Sequence, residues 1–241
     1  MFRTHGFLST HPPTRCGLAT FTAALLHRLS AVAPGRRRVI GEVVGHADTA
    51  VTAREPSPDR PLILTWGPLG RGNGIEWAIS ALGALRDLKP RYLVVGQTDP
   101  EVPAQEGEVY RRNLRNRAIA CGVADLVEFD PTHREVGAQA ELVDRADVVL
   151  LPYDSSERVT SGVLVEALAA RRPVIATEFP HAVELLVDGA GLLVPHRDPA
   201  AIAAALRRVL TEPGLATGMS ARSASLAGDD TGLCEPPSRP G

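Results

Sequence analysis

Residues 146–153, ADVVLLPY, and residues 159–177, VTSGVLVEALAARRPVIAT, decide the fold. The first piece is a run of branched apolar residues of strand length. The second opens on hydroxyl and glycine residues, continues with apolar residues at helical spacing and closes on the β-branched run PVIAT. Strand, loop, helix and strand in that order make a βαβ unit, whose two strands lie parallel.

The same alternation extends to both sides. Strands are expected at LILTW (62–66), YLVVG (92–96), LVEF (126–129), DVVLL (147–151), PVIAT (173–177) and GLLVP (191–195). Between them lie amphipathic segments such as GIEWAISALGALRDL (74–88), where Ile75, Ala78, Ile79 and Leu82 share a face. A last helix, 198–214, has Asp198 as its cap and Pro199 at its first position. The fold class is therefore α/β, a doubly wound, Rossmann-like parallel sheet over residues 60–214. Residues 1–59 read as a partial second Rossmann-like βαβ fragment ending in a linker, too small to cover both faces of its own sheet. Residues 215–241, small, polar and rich in proline, are expected to be a disordered tail.

Composition narrows the function. The chain of 241 residues is 44% hydrophobic and carries a formal charge of -2 with a pI near 6.4, so nothing drives it as a whole towards nucleic acid or anionic lipid. Cys16, Cys121 and Cys234 are widely spaced, which argues against a disulfide framework and for the cytoplasm. No apolar run approaches the ~20 residues of a membrane span, and no metal-binding spacing occurs, so no metal is expected.

Ligands of open parallel sheets sit beyond the carboxyl ends of the strands, so the loops there are the site candidates. GPLGRGNGIE (67–76) is glycine-rich and leads into a helix, with Arg71 as its cation, yet it lacks the P-loop spacing. It is as readily a plain strand-to-helix turn. In the loop before the next helix start, Thr160 or Ser161 can cap, Gly162 permits close backbone approach, and the helix dipole suits an anion. Glu166, one turn further in, suits the vicinal hydroxyls of a ribose; on the residues alone it equally complements the dipole of a capped helix. His181 stands at the helix start in TEFPHAVELL (177–186), where it binds a substrate hydroxyl, acts as a base or serves the structure. Gly17, in PPTRCGLATFT (12–22), opens the first helix, either as an interdomain loop over a ligand or as an ordinary turn.

Taken together, GPLGRGNGIEWAI, ADVVLLPY, VTSGVLVEALAARRPVIAT and VELLVDGAGLLVPHRDPAAIAAAL resemble, in order and spacing, the retaining GT-B glycosyltransferases of glycosyltransferase family 4. The resemblance covers residues 60–212 as a donor-binding domain and residues 8–30 as the opening of an amino-terminal domain, the latter short of the family's length. It implies transfer of a sugar from a nucleotide-diphosphate sugar, without a metal, to an acceptor it does not identify. By the same resemblance Glu166 is the second Glu of the Glu-x7-Glu motif and holds the ribose. Ser161, Gly162 and Val163 then present amides to the diphosphate, with Gly70, Asn73, Arg158 and Thr160 around it and Arg71 on the leaving group.

The sequence departs from that pattern at three points. Arg158 occupies the place of the first Glu, Asn73 that of a diphosphate-binding lysine, and Pro68 that of an arginine. With the short amino-terminal part, these departures set an impaired transferase against a non-catalytic nucleotide-sugar-binding module or partner subunit. Exposed apolar surface at the cleft is expected to favour self-association.

Overall fold

A computed structural model describes residues 55–97, 104–132, 136–154, 161–186 and 189–228. The expected fragment up to residue 54, with Gly17, lies outside the described residues, as do Arg158, Thr160 and residues 229–241.

Six strands form one parallel sheet: β1 (Leu62–Trp66), β2 (Arg91–Val95), β3 (Val127–Asp130), β4 (Val148–Leu151), β5 (Val174–Thr177) and β6 (Gly191–Val194). Every strand matches an expected one to within a residue or so at each end. The spatial order is β3-β2-β1-β4-β5-β6, so the chain winds outward from β1 in one direction and from β4 in the other. The two halves meet where Ile63 pairs with Val148 and Leu64 with Val149.

Seven helices cover the sheet within the described residues: α1 (Ile75–Ala81), α2 (Ala104–Ala120), α3 (Val136–Arg145), α4 (Gly162–Ala169), α5 (Pro180–Leu186), α6 (Pro199–Thr211) and α7 (Leu215–Gly228). Because successive side chains of a strand point to opposite faces, each strand feeds two cores. Ile63, Val94, Leu150 and Ile175 pack under α1, α2 and α6, and Ala216 and Met219 of α7, which lies against α4 and α6, join the same core. Leu64, Val95, Val149, Leu151 and Ala176 pack under α3, α4 and α5. Thr65, buried in mid-sheet, donates to the Leu150 carbonyl at 2.6 Å and so receives the Tyr92 hydroxyl at 3.0 Å, which ties both halves at the seam.

Two expectations need correction. The segment 74–88 is an α-helix only to Ala81 and continues as a 3-10 turn over Leu82–Leu88, with Gly83, a poor α-helix former, just past the change. The tail expected to be disordered from Leu215 instead forms α7. Ala216, Met219, Ser220 and Ser223 are buried at helical spacing. The two serines bond back to the carbonyls four residues earlier, Ser220 to Ala216 at 3.0 Å and Ser223 to Met219 at 3.1 Å, so their hydroxyls cost little to bury.

Candidate functional site

The winding reverses between β1 and β4, and the crevice at the carboxyl ends of those strands is where such sheets accept ligands. The loop after β1 is fastened there to its neighbours. Gly67 N–H donates to Val95 O at 3.0 Å, and Asp154 N–H to Gly72 O at 2.8 Å. Gly74 has φ 65°, and a Cβ on it would lie 1.7 Å from the Pro152 carbonyl oxygen, so only glycine lets α1 start against the loop after β4. Asn73 is 6% exposed and accepts the Gly70 N–H on Oδ1 at 2.7 Å. It therefore organises the 70–73 turn from inside, while Arg71 is exposed on the same loop.

Ser161 caps α4 in an extended conformation. Its Oγ accepts Leu164 N–H at 3.2 Å and its carbonyl accepts Val165 N–H at 3.4 Å. Its own amide donates to His181 Nδ1 at 2.9 Å. Among the amides at this helix start, that of Ser161 is taken by histidine and that of Leu164 by the cap. Among the described residues the Gly162 and Val163 amides have no acceptor, whereas the Ser161 amide, expected to stand beside them, is already used. Gly162 is exposed and leaves open space where a Cβ would stand.

Glu166 is exposed on the second turn of α4, and Trp66 Nε1, at the end of β1, donates to its Oε2 at 3.2 Å. One carboxylate oxygen is thereby oriented while the other faces away from that bond. Val163 lies beside Gly67, where a Cβ would meet it at 3.5 Å, so the β1 loop and the α4 start share one wall. The structure thus gathers Gly70, Arg71, Asn73, Ser161, Gly162, Val163 and Glu166 at one end of the sheet; Thr160 and Arg158 lie outside the described residues.

His181 serves α4 instead of presenting itself as a base. It is 2% exposed, and burial holds its imidazole below the ordinary 6.5, with Glu184 acting in the opposite sense. Sequence reasoning missed Trp66 and the loop after β6. There His196 Nδ1 donates to Tyr153 O at 2.8 Å and Arg197 pairs with Asp154, which keeps the guanidinium above its usual range. The signal was available, since PHRD also follows a strand. Among the described residues no cluster of metal-ligating side chains occurs, and no helix is long and apolar enough to cross a membrane.

A doubly wound α/β domain with the capped start of α4 at its switch point is the class that fold and site define. Residues 60–212 match the family model described as Glycosyl transferases group 1, and the chain belongs to that family, whose members are transferases. The chain is 36% identical over 143 residues to a D-inositol 3-phosphate glycosyltransferase of Geodermatophilus obscurus, covering 58% of this chain and 30% of that protein. Among solved structures of GT-B type, sucrose-phosphate synthase from Thermosynechococcus elongatus superposes with a TM-score of 0.63 at 26% identity, over 72% of this chain and 42% of that one. The C-terminal domain of a group 1 glycosyl transferase from Francisella tularensis superposes at 0.60 and 17% identity, over 75% of this chain and 89% of that domain. Anabaena HepE, solved in complex with UDP, gives 0.63 at 18% identity over 71% of this chain and 45% of that one. The chain thus spans under half the length of the full-length relatives it matches.

Proposed function

We propose that this chain holds the donor in a glycosyltransferase that moves a sugar from a nucleoside-diphosphate sugar to an acceptor hydroxyl with retention of configuration. The observation that carries the reading is the pairing, on α4, of two ligand-ready amides at Gly162 and Val163 with Glu166 held by Trp66. Amides and the positive end of the helix dipole suit a diphosphate, and the carboxylate suits the ribose that follows it. That HepE was solved with UDP supports a diphosphate of this kind.

In the reaction the bond between the anomeric carbon and the diphosphate oxygen breaks while the acceptor oxygen bonds to the same face. The acceptor proton passes to the departing phosphate. Negative charge grows on the leaving group as the bond breaks, so preorganised donors at Gly162, Val163 and Arg71 favour the transition state over the ground state. No metal is part of this proposal. Asn73 is turned inward and Pro68 carries no charge, so fewer cations meet the leaving group than the family pattern implies. Losing such a contact costs about 10²-fold in rate, which makes a slow enzyme the expected one.

Calorimetric titration with UDP and GDP, followed by turnover with a panel of nucleotide sugars and NMR of the product anomer, tests the proposal. Saturable binding and a product of retained configuration support it. Binding without turnover leaves the donor site and removes the reaction; no saturable heat with either diphosphate overturns the reading.

A further inference from the structure

We infer that His181 is a positioning residue of the donor site: by accepting the Ser161 amide on Nδ1 it fixes the first turn of α4, so that diphosphate affinity requires the neutral imidazole. This inference rests on the donor reading above.

A backbone N–H only donates, so the 2.9 Å contact makes Nδ1 an acceptor and places the ring proton on Nε2. That Nε2 is buried and has no hydrogen-bond partner. An unmet buried donor is costly, and the fold tolerates it while satisfying the nitrogen that faces Ser161. The ring is therefore held where it is by its service to the helix start. Ser161 is pinned on two further sides, by Leu164 N–H on Oγ at 3.2 Å and by the Tyr153 hydroxyl near the same oxygen at 3.4 Å. Gly162 and Val163 follow it directly, so any shift of Ser161 moves the two amides offered to the ligand.

Protonation turns the acceptor into a donor. An imidazolium would aim Nδ1–H at the Ser161 N–H, and one of the two must move. Burial opposes that charge, and Glu184 on α5 itself favours it. From the loop after β4 the nearby titratable group is Tyr153, which reaches Ser161 and not the ring. The competing effect has the opposite sign, because an imidazolium beside a diphosphate would attract it. The pH dependence of binding therefore distinguishes a positioning role from a simple charge.

The test compares the full chain with His181→Asn, whose Oδ1 can accept the same amide at any pH, and with His181→Leu, which cannot. UDP and GDP affinities are measured by calorimetry from about pH 7.5 down to the lowest pH at which the chain stays folded, because burial holds the imidazole below the ordinary histidine value. Expected at the higher pH are near-native affinity for His181→Asn and a loss of about tenfold for His181→Leu. Towards the lower pH the wild type should weaken more than His181→Asn, a ratio from which titration of the ligand's own phosphate cancels. Nitrogen NMR of the ring, which needs no ligand and no folded Leu variant, should show Nδ1 bare and Nε2 protonated at the higher pH. The opposite tautomer, equal affinity of wild type and His181→Leu, or acid tightening of the wild type relative to His181→Asn would each overturn the inference alone. Failure of the wild type to bind either diphosphate would overturn the donor reading and this inference with it.

Discussion

Trp66 Nε1 donates to Glu166 Oε2 at 3.2 Å, joining the last residue of β1 to the second turn of α4 across the seam of the sheet. Trp66 is buried and Glu166 exposed, so the indole is the fixed partner and the carboxylate the oriented one. Trp66→Phe keeps the packing and removes the N–H. Its expected effect is a three- to tenfold loss of UDP affinity, about the net worth of one ordinary hydrogen bond, since Glu166 is exposed to water. Affinity for inorganic pyrophosphate should be unchanged, since the donor reading proposed above has Glu166 hold the ribose and not the phosphates. Equal losses for both ligands would show that Trp66 supports the loop and not the carboxylate.

The strands were legible because a parallel sheet covered on both faces needs uninterrupted apolar runs, and LILTW and VVLL carry them without ambiguity. α7 was not, because its buried face uses Ala216, Ser220 and Ser223, which in sequence look like any polar tail until their hydroxyls are seen to bond within the helix. At the start of α4, the Ser161 cap and the places of Gly162 and Glu166 on the helix were legible from the helix-start pattern. What pattern could not reveal was direction: that Asn73 turns inward, that Trp66 reaches α4, and that His181 takes the Ser161 amide. Each depends on contacts between residues three to a hundred positions apart, which local periodicity does not encode.

Asn73 stands where the family pattern places a lysine, so Asn73→Lys would add a cation to the 70–73 turn. The side chain it replaces is buried and accepts the Gly70 N–H at 2.7 Å. Lysine has no acceptor, and the unmet amide together with a buried ammonium stem should cost about 1–3 kcal/mol. The expected outcome is a lower urea midpoint with no gain in UDP affinity, whereas Asn73→Asp, which keeps an acceptor, stays closer to wild type in stability. A tighter diphosphate complex at unchanged stability would mean that the 70–73 turn opens towards the ligand.

Two glycines, Gly74 just before α1 and Gly83 in the 3-10 turn after it, separate backbone need from chance. At Gly74 a Cβ would lie 1.7 Å from Pro152 O with φ at 65°; at Gly83 nothing lies within 4 Å and the residue is not among those with positive φ. Gly74→Ala must push apart the loops after β1 and β4, and a loss of about 3 kcal/mol or more is expected. Gly83→Ala should instead gain about 0.5 kcal/mol by restricting the unfolded chain. Chemical denaturation of both variants checks the contrast, and similar midpoints for the two would mean that the crevice tolerates separation of its loops.

His181 also makes stability depend on pH, with a sign that follows from its environment. Burial lowers its value from 6.5, so on acidification the unfolded chain takes up the proton before the folded one does. Between the two values the unfolded state carries more protons, and stability rises with pH there. The contribution is fully present above about 6.5, is lost as pH falls through that value, and levels off below the folded one. His181→Asn cannot titrate, while every other group titrates alike in both proteins. Urea midpoints followed from about pH 7.5 to about pH 5 should therefore fall further for the wild type than for His181→Asn, and parallel curves would show that the folded protein accepts the imidazolium without losing the start of α4.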